Sequence, residues 1–555
     1  MRMSGRDRIV LFTPLAILLT GWLVLPALLG LLATFTNYSP FTATVRFAGL
    51  ANYATILSDP QFGAAARNIA VFTVVAVPLE LVIGFGIAYL LRRPLRGRSL
   101  WRMLLLLPWL VSPIASGVMW HFLFGSATGV LDFVLGWLGQ PDLQSPAGDL
   151  RLALPTAIAV EVWRVAPFVT FLLLPSLSAI PGERWDEATL AGASLAGRLV
   201  KVAIPSVAPL LLTITMLLVG LAFGTFDTVL ILTGGGPGTL RTRLRHQRLA
   251  CRCYLWMADR GRRACCRCDL SSAGHRPQRR VTARRRDATR VLLLAAMLVV
   301  FLAPLAWTAL ASIGLLPDNS TRPPSWTGPA TLEHFSEIGI AEPTFWQELA
   351  TSTIAAACAA TLAVAVSFFA AYGLARSSFR ANRGVTQGFL VLASLPAMAY
   401  VIPLSDVLRR VHLLDTLAGV VLSEAAVTAP LAVFVLYGAI AQLSVQWEEA
   451  AVLDGAGLLQ VVGRVILPLL TPTVAATAVV LFVLDWNMLL VPLVLTSGEI
   501  KTIPVAMSDF FTFERELDWP TAAAALIVSL GPVAVLVGLF HGVLDRFSLG
   551  AGTGA

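Results

Sequence analysis

The chain has 555 residues, of which 57% are hydrophobic and only 13% charged, about half the charged share of an ordinary soluble domain, roughly 25%. With a mean hydropathy of +0.77, that composition excludes a soluble enzyme and places the chain in a bilayer as a multi-spanning helical protein. The net charge of +9 is not a footprint of nucleic acid, because it is local. Residues 241–290 hold 16 arginines against three acids, Asp259, Asp269 and Asp287, so the rest of the chain is net acidic.

In chain order, apolar runs of spanning length fall at 9–34, 68–91, 101–124, 152–179 and 206–232, then at 291–312, 349–375, 386–404, 417–442, 469–496 and 521–544. The first is too long for the apolar region of a signal peptide and has no small-residue cleavage site after it, so it reads as a transmembrane helix. Arg2, Arg6 and Arg8 before it, and Arg92, Arg93, Arg96 and Arg98 after the second run, belong in the cytoplasm by the positive-inside rule. The chain is therefore expected in the cytoplasmic membrane with its N-terminus on the cytoplasmic side.

The two sets of runs repeat one another. At an offset of 263, Glu161 matches Glu424, Ala166-Pro167 matches Ala429-Pro430, Gly192 matches Gly455 and Pro205 matches Pro468; at 283, Ala88-Tyr89 matches Ala371-Tyr372. The expected organisation is a first membrane unit at 1–240, an anomalous segment at 241–290 and a second unit at 291–555. The second unit shows six spans and the first only five. Arg376, Arg380 and Arg383 require the second unit to start inside, so one crossing is missing between 241 and 290.

That segment packs Arg, Cys and His together, lacks Lys and contains no apolar run of 10 residues. It reads as a stretch translated out of frame, with GC-rich codons for a helix of Ala, Val, Leu and Gly appearing as Arg and Cys. A linker fails the parity of crossings. A metal site built from Cys251, Cys253, Cys265, Cys266, Cys268 and His275 lacks the paired C-x2-C spacings of a zinc set, having only Cys265 to Cys268 at that spacing, and no metal is expected.

The loops after the fourth span of each unit, 181–205 and 444–468, carry the most informative residues. The second has Glu449, Ala450 and Ala451, then three residues to Gly455, then Val465, Leu467 and Pro468. The first has Asp186 at the Glu position, Glu187 and Ala188 at the two Ala positions, then Gly192, and Pro205 again 13 residues after its Gly. Alanines favour a helix without bulk, the Gly permits a close approach or a sharp turn, and an amphipathic helix laid in a partner's groove is a common recognition mode. The pattern resembles the EAA loop of ATP-binding-cassette importer permeases, from which the first copy departs at three positions, Asp186, Glu187 and Ile204 before the Pro.

Other residues are similar to the two permeases of carbohydrate importers of the maltose and glycerol-phosphate type. In the first unit they are Phe226-Asp227 and Thr233-Gly234-Gly235-Gly236-Pro237; in the second, Pro403-Leu404, His412, Asp415-Thr416, Trp486-Asn487, Pro492-Leu493 and Thr502 to Val505. The resemblance implies an all-α fold of two tandem six-helix units, the first lacking its sixth span here. It also implies carbohydrate import by alternating access, with solute delivered by an extracytoplasmic binding protein. The chain would carry no cofactor: a P-loop needs a Gly-Lys pair, and the only lysines, Lys201 and Lys501, follow Val200 and Ile500. ATP would be hydrolysed by two separate ATPase subunits or domains, one for each loop. Fused permeases of ferric-iron and thiamine importers, an ion-coupled transporter of two related halves and an inactive remnant are the alternatives.

Inside the membrane, charges are costly and usually face protein or water, which makes Glu80, Glu161, Arg164, Asp227, Glu424 and Asp485 candidates for lining a path. Glu161 and Arg164, spaced i, i+3, are placed to neutralise each other. Phe226, Asp227, Trp486 and Asn487 combine hydrogen-bonding groups with flat rings, as a sugar path requires. Trp109, Trp120 and Trp137 are expected at the membrane interface.

Overall fold

The computed structural model describes residues 5–37, 46–93, 95, 97–124, 129–138, 152–224, 232, 279–319, 325–327, 329–377, 382–496, 500–510 and 519–550. Among them, nine helices are long and apolar enough to cross a membrane: Val10–Ala33, Pro60–Leu91, Ala153–Ser178, Leu195–Phe223, Ala288–Ser312, Pro343–Ala375, Leu417–Gln442, Leu458–Trp486 and Trp519–Phe540. The fold is all-α and polytopic. The one sheet among the described residues is a small antiparallel hairpin, Leu316–Asp318 with Ser325–Thr327.

The two expected spans without an unbroken helix, 101–124 and 386–404, occupy matching places in the two units. The first is a helix pair, Ser99–Leu110 and Pro113–Leu123, bent by 89°. The second stops at Ala393, makes a 3-10 turn over Ala397–Ala399 and restarts as Val401–Arg410. Both breaks fall at a proline, Pro113 and Pro396, which lie 283 positions apart. Proline lacks the N–H that would continue the helix and forces the residue before it into extended backbone. A hydropathy window does not register this, so the expectation of continuous spans is corrected here.

The second and fourth spans pack closely in each unit. The Thr170 hydroxyl donates to the carbonyls of Gly84 and Ala166, at 3.1 and 3.0 Å. In the second unit Ser367 donates to Ala429 at 3.0 Å, and Ser367 and Ala429 are the positional matches of Gly84 and Ala166. A Cβ at Gly84 would lie 2.6 Å from Val169 Cγ1, so only glycine allows that approach.

Each first span lies against the other unit. Phe12 packs on Gly373, and Gly30 faces the Ala399 carbonyl and Pro403. In return, Trp163 Nε1 donates to the Phe301 carbonyl at 3.1 Å. Arg290, at the start of the second unit, donates to the carbonyls of Leu90 and Arg93. The helix carrying it runs from Arg279 to Ser312, so the last residues of the Arg-rich segment belong to the second unit's first helix. The other residues of that segment, 241–278, lie outside the described residues.

Candidate functional site: two matched loop helices and a cavity between the units

The loop of the first unit folds as a helix, Gly182–Leu190, and that of the second as Gln446–Leu453. Both end in the same way. Gly192 and Gly455 take left-handed backbone, φ 74° and 84°. The next residues return their N–H groups to the helix, Ala193 to Ala188 O and Ala456 to Ala451 O, at 2.9 and 3.0 Å. This is a Schellman closure, for which Gly carries no Cβ penalty. Nothing lies within 4 Å of a Cβ built at either Gly, so the glycines serve the turn and not a close approach.

The match continues. Ser194 caps a second short helix through Gly197 N, at 3.1 Å, and Gly457 N donates to Gln460 Oε1 in the corresponding place. Each short helix then widens into one π-turn, Leu199–Ala203 and Val462–Ile466. Pro205 and Pro468 follow by two residues. A proline ring collides with the carbonyl four residues back, and the wider turn shifts pairing to the fifth, as in Ile204 N to Leu199 O and Leu467 N to Val462 O.

Asp186, Glu187, Glu449 and Ala450 are exposed on these helices, as are Gly192, Pro205, Gly455 and Pro468; Ala188 and Ala451 are half-buried. Each helix buries a single side chain, Trp185 in the first and Glu448 in the second. Glu448 accepts from Arg376 Nε at 2.6 Å and from the Tyr372 hydroxyl at 3.1 Å. Around Trp185, Tyr89 lies 5.9 Å away ring to ring, and the Arg92 guanidinium sits 3.7 Å above the indole and 4.5 Å from the Tyr89 ring. Burial lowers the Arg92 pKa from the usual guanidinium range, and the Tyr89 hydroxyl opposes that shift. Each helix also presents an apolar tip: Leu190 is 83% exposed and Leu453 88%. Sequence reasoning passed over all four residues, although both pairs are legible as equal positions in the repeat.

Between the units lies a cavity of about 310 Å³. Its polar lining includes Arg164, Ser394, Thr428, Tyr400 and Asn487, and its aromatic wall includes Trp109 and Phe168, whose rings stack at 4.7 Å. Asn487 Nδ2 donates to the Leu110 carbonyl of the other unit at 3.4 Å. Trp486 is instead packed in the core against Phe482, at 5.9 Å, so the expected pair divides between cavity and core. Phe226 and Asp227 lie outside the described residues. Of the intramembrane charges, Arg164 reaches the cavity while paired to Glu161 at 2.6 Å. Glu80, Glu161, Glu424 and Asp485 are buried among helices and do not line it. Of the three tryptophans expected at the interface, Trp109 is in the cavity wall, Trp120 packs edge-on against Trp163, and Trp137 is exposed.

Comparison with known proteins agrees with this architecture. Residues 363–548 match the family described as "Binding-protein-dependent transport system inner membrane component". The trehalose/maltose transport system permease protein MalF of Thermococcus litoralis is 30% identical over 238 residues, 42% of this chain and 79% of that protein. The sn-glycerol-3-phosphate transport system permease protein UgpA of Agrobacterium fabrum is 27% identical over 231 residues, 41% and 78%. The trehalose transport system permease protein SugA of Mycobacterium tuberculosis is 32% identical over 193 residues, 35% and 61%. Among solved structures, a bacterial transporter involved in import of the polysaccharide alginate is 19% identical, with 48% of this chain and 98% of that chain aligned at a TM-score of 0.37. The chain is a multi-pass inner-membrane protein and belongs to the family of binding-protein-dependent inner-membrane components, the permease subunits of ATP-binding-cassette importers.

Proposed function

We propose that the chain is a fused pair of permease units that moves a carbohydrate into the cell by alternating access, driven by ATPase subunits docked on Gly182–Leu190 and Gln446–Leu453. The observation that carries this reading is the matched pair of loop helices, alike in their exposed acids, apolar tips, left-handed glycines, π-turns and prolines. A solvated linker has no need to repeat that construction at an offset of 263. Asp186 and Glu187 in the first copy, and Glu449 in the second, supply charge at the contact, while Leu190 and Leu453 supply apolar area. The same reading puts the N-terminus on the cytoplasmic face with both loop helices; in its support, Phe12 packs on Gly373 near the end of Pro343–Ala375, where Arg376 also sits.

Carbohydrate is the class that the cavity suits. Arg164, Asn487 and Thr428 offer hydrogen bonds beside the rings of Trp109, Phe168 and Tyr400, and a small set of polar groups on a mostly apolar wall is how such sites orient a ligand. The relatives named for trehalose, maltose and glycerol phosphate point to the same class. An extracytoplasmic binding protein delivers the solute, in keeping with the family's description. The chain binds no nucleotide or cofactor of its own.

The test is charge reversal at Glu449 in the full chain, expressed with ATPase subunits and binding protein. Glu449→Arg is expected to insert normally, lose ATPase co-purification and abolish uptake. Unchanged uptake sinks the docking assignment. Uptake of radiolabelled disaccharide by Asn487→Ala and Trp109→Ala checks the cavity separately: a raised KM with normal assembly is expected, and an unchanged KM removes the cavity from the path.

A further inference from the structure

The two loop helices are held to the membrane body by different chemistry. Helices of eight or nine residues are marginal on their own, so their orientation is set by what they are fastened to, and each buries one side chain. In the second unit that side chain is Glu448, whose carboxylate spans Arg376 at 2.6 Å and Tyr372 at 3.1 Å. Arg376 also donates through Nη2 to the Leu443 carbonyl at 3.1 Å, closing the clamp onto the loop's entry. Arg376 and Glu448 expose only 8% and 2% of their side chains.

In the first unit the equivalent position is Trp185, and the same end of the second span answers it with a ring and a cation. Tyr89 is the positional match of Tyr372. Arg92, one position before the match of Arg376, stacks over both rings. A hydrogen-bonded carboxylate fixes distance and direction, whereas a guanidinium over an indole attracts with looser geometry.

We infer that Glu448 and Trp185 are the positioning residues that tie the loop helices to the ends of Pro343–Ala375 and Pro60–Leu91, and that Glu448 forms the stiffer of the two ties. Glu448 is distinct from its neighbour Glu449: one carboxylate faces inward to the membrane body and the other outward to the partner. Displacement of the partner-bound helix is passed to the second span through the Glu448 clamp. This inference rests on the docking reading, and its test separates the two.

The full chain is prepared with Glu448→Gln, Glu448→Asp and Trp185→Phe. Two quantities are measured: amide exchange of 183–190 and 446–453 in the chain alone, and solute moved per ATP hydrolysed with ATPase subunits and binding protein. Glu448→Gln is expected to speed exchange over 446–453 by about tenfold, retain ATPase co-purification, and lower the solute-to-ATP ratio by about tenfold. Glu448→Asp keeps the charge and is expected to restore part of both. Trp185→Phe is expected to loosen 183–190 alone, with a smaller fall in the ratio. Unchanged exchange or an unchanged ratio in Glu448→Gln overturns the assignment. The docking reading fails on a different result, co-purification that survives Glu449→Arg.

Discussion

Gly192 and Gly455, 263 positions apart, hold the same left-handed backbone at the ends of two helices that bury different side chains, Trp185 and Glu448. The turn is therefore common to both units while the anchor is not. A non-glycine residue in that conformation costs about 1–2 kcal/mol, and open space around both positions leaves the backbone penalty as the main effect of a methyl group. Gly455→Ala is expected to raise amide exchange in 446–457 and reduce uptake several-fold. Gly455→Asn, better tolerated in this region, is expected to stay close to wild type. Equal behaviour of the two variants removes the left-handed turn as the reason for the glycine.

Hydropathy alone located the unbroken helices and left out what depends on tertiary packing. The breaks at Pro113 and Pro396 fall inside mostly apolar runs, and a proline alone does not mark them in the sequence, since Pro78, Pro167 and Pro430 lie inside unbroken spans. The crossing of each first span to the other unit leaves no local trace, because a lipid-facing and a partner-facing apolar surface have the same composition. The loop motif was legible for its exposed face, Glu449 to Gly455, and silent on its buried one. Glu448 in a run of acids reads as solvated until Arg376 and Tyr372, more than 70 residues earlier, are seen around it.

Leu190 and Leu453 stand almost fully exposed outside the membrane spans, at matched positions in the two loop helices. Fully burying such a side chain contributes about 2 kcal/mol, about thirtyfold in affinity. Leu453→Ala and Leu190→Ala are each expected to weaken ATPase-subunit binding by about that factor, measured by titration in detergent, without changing the chain's own amide exchange. Undiminished affinity in the double variant places the contact elsewhere on the loops.

Glu161 has Arg164 to balance it, whereas Glu424, its match, lies in electrostatic reach of a second acid, Asp485, and Val427 occupies the position of Arg164. Both acids are buried and away from the cavity. An importer driven by ATP has no need of their charge, while an ion-coupled transporter would need a carboxylate that cycles. Glu424→Gln and Asp485→Asn are expected to retain uptake, with vanadate abolishing it. Loss of uptake in both, together with transport that persists under vanadate, would instead favour ion coupling.

The segment 241–290 is tested by the parity of crossings. The helix Leu195–Phe223 starts at the loop-helix face, where Trp185 meets Arg92, and runs away from it. Arg290 lies back at that face, on the carbonyls of Leu90 and Arg93. If both helices span the bilayer, one further crossing is needed between Phe223 and Arg290, and a hydrocarbon core of about 30 Å takes about 20 apolar residues in a helix. The sequence from 241 to 290 has no such run; it has 16 arginines. Resequencing of the DNA for residues 238–290, translated in all three frames, is expected to reveal an apolar run of about 20 residues in a shifted frame, with the five cysteines of that segment gone. That result supplies the sixth span of the first unit and gives both loop helices the same orientation to the bilayer. Absence of such a run in every frame means that the 555-residue chain as written lacks a return crossing, and uptake by the purified chain would then be expected to fail even with ATPase subunits present.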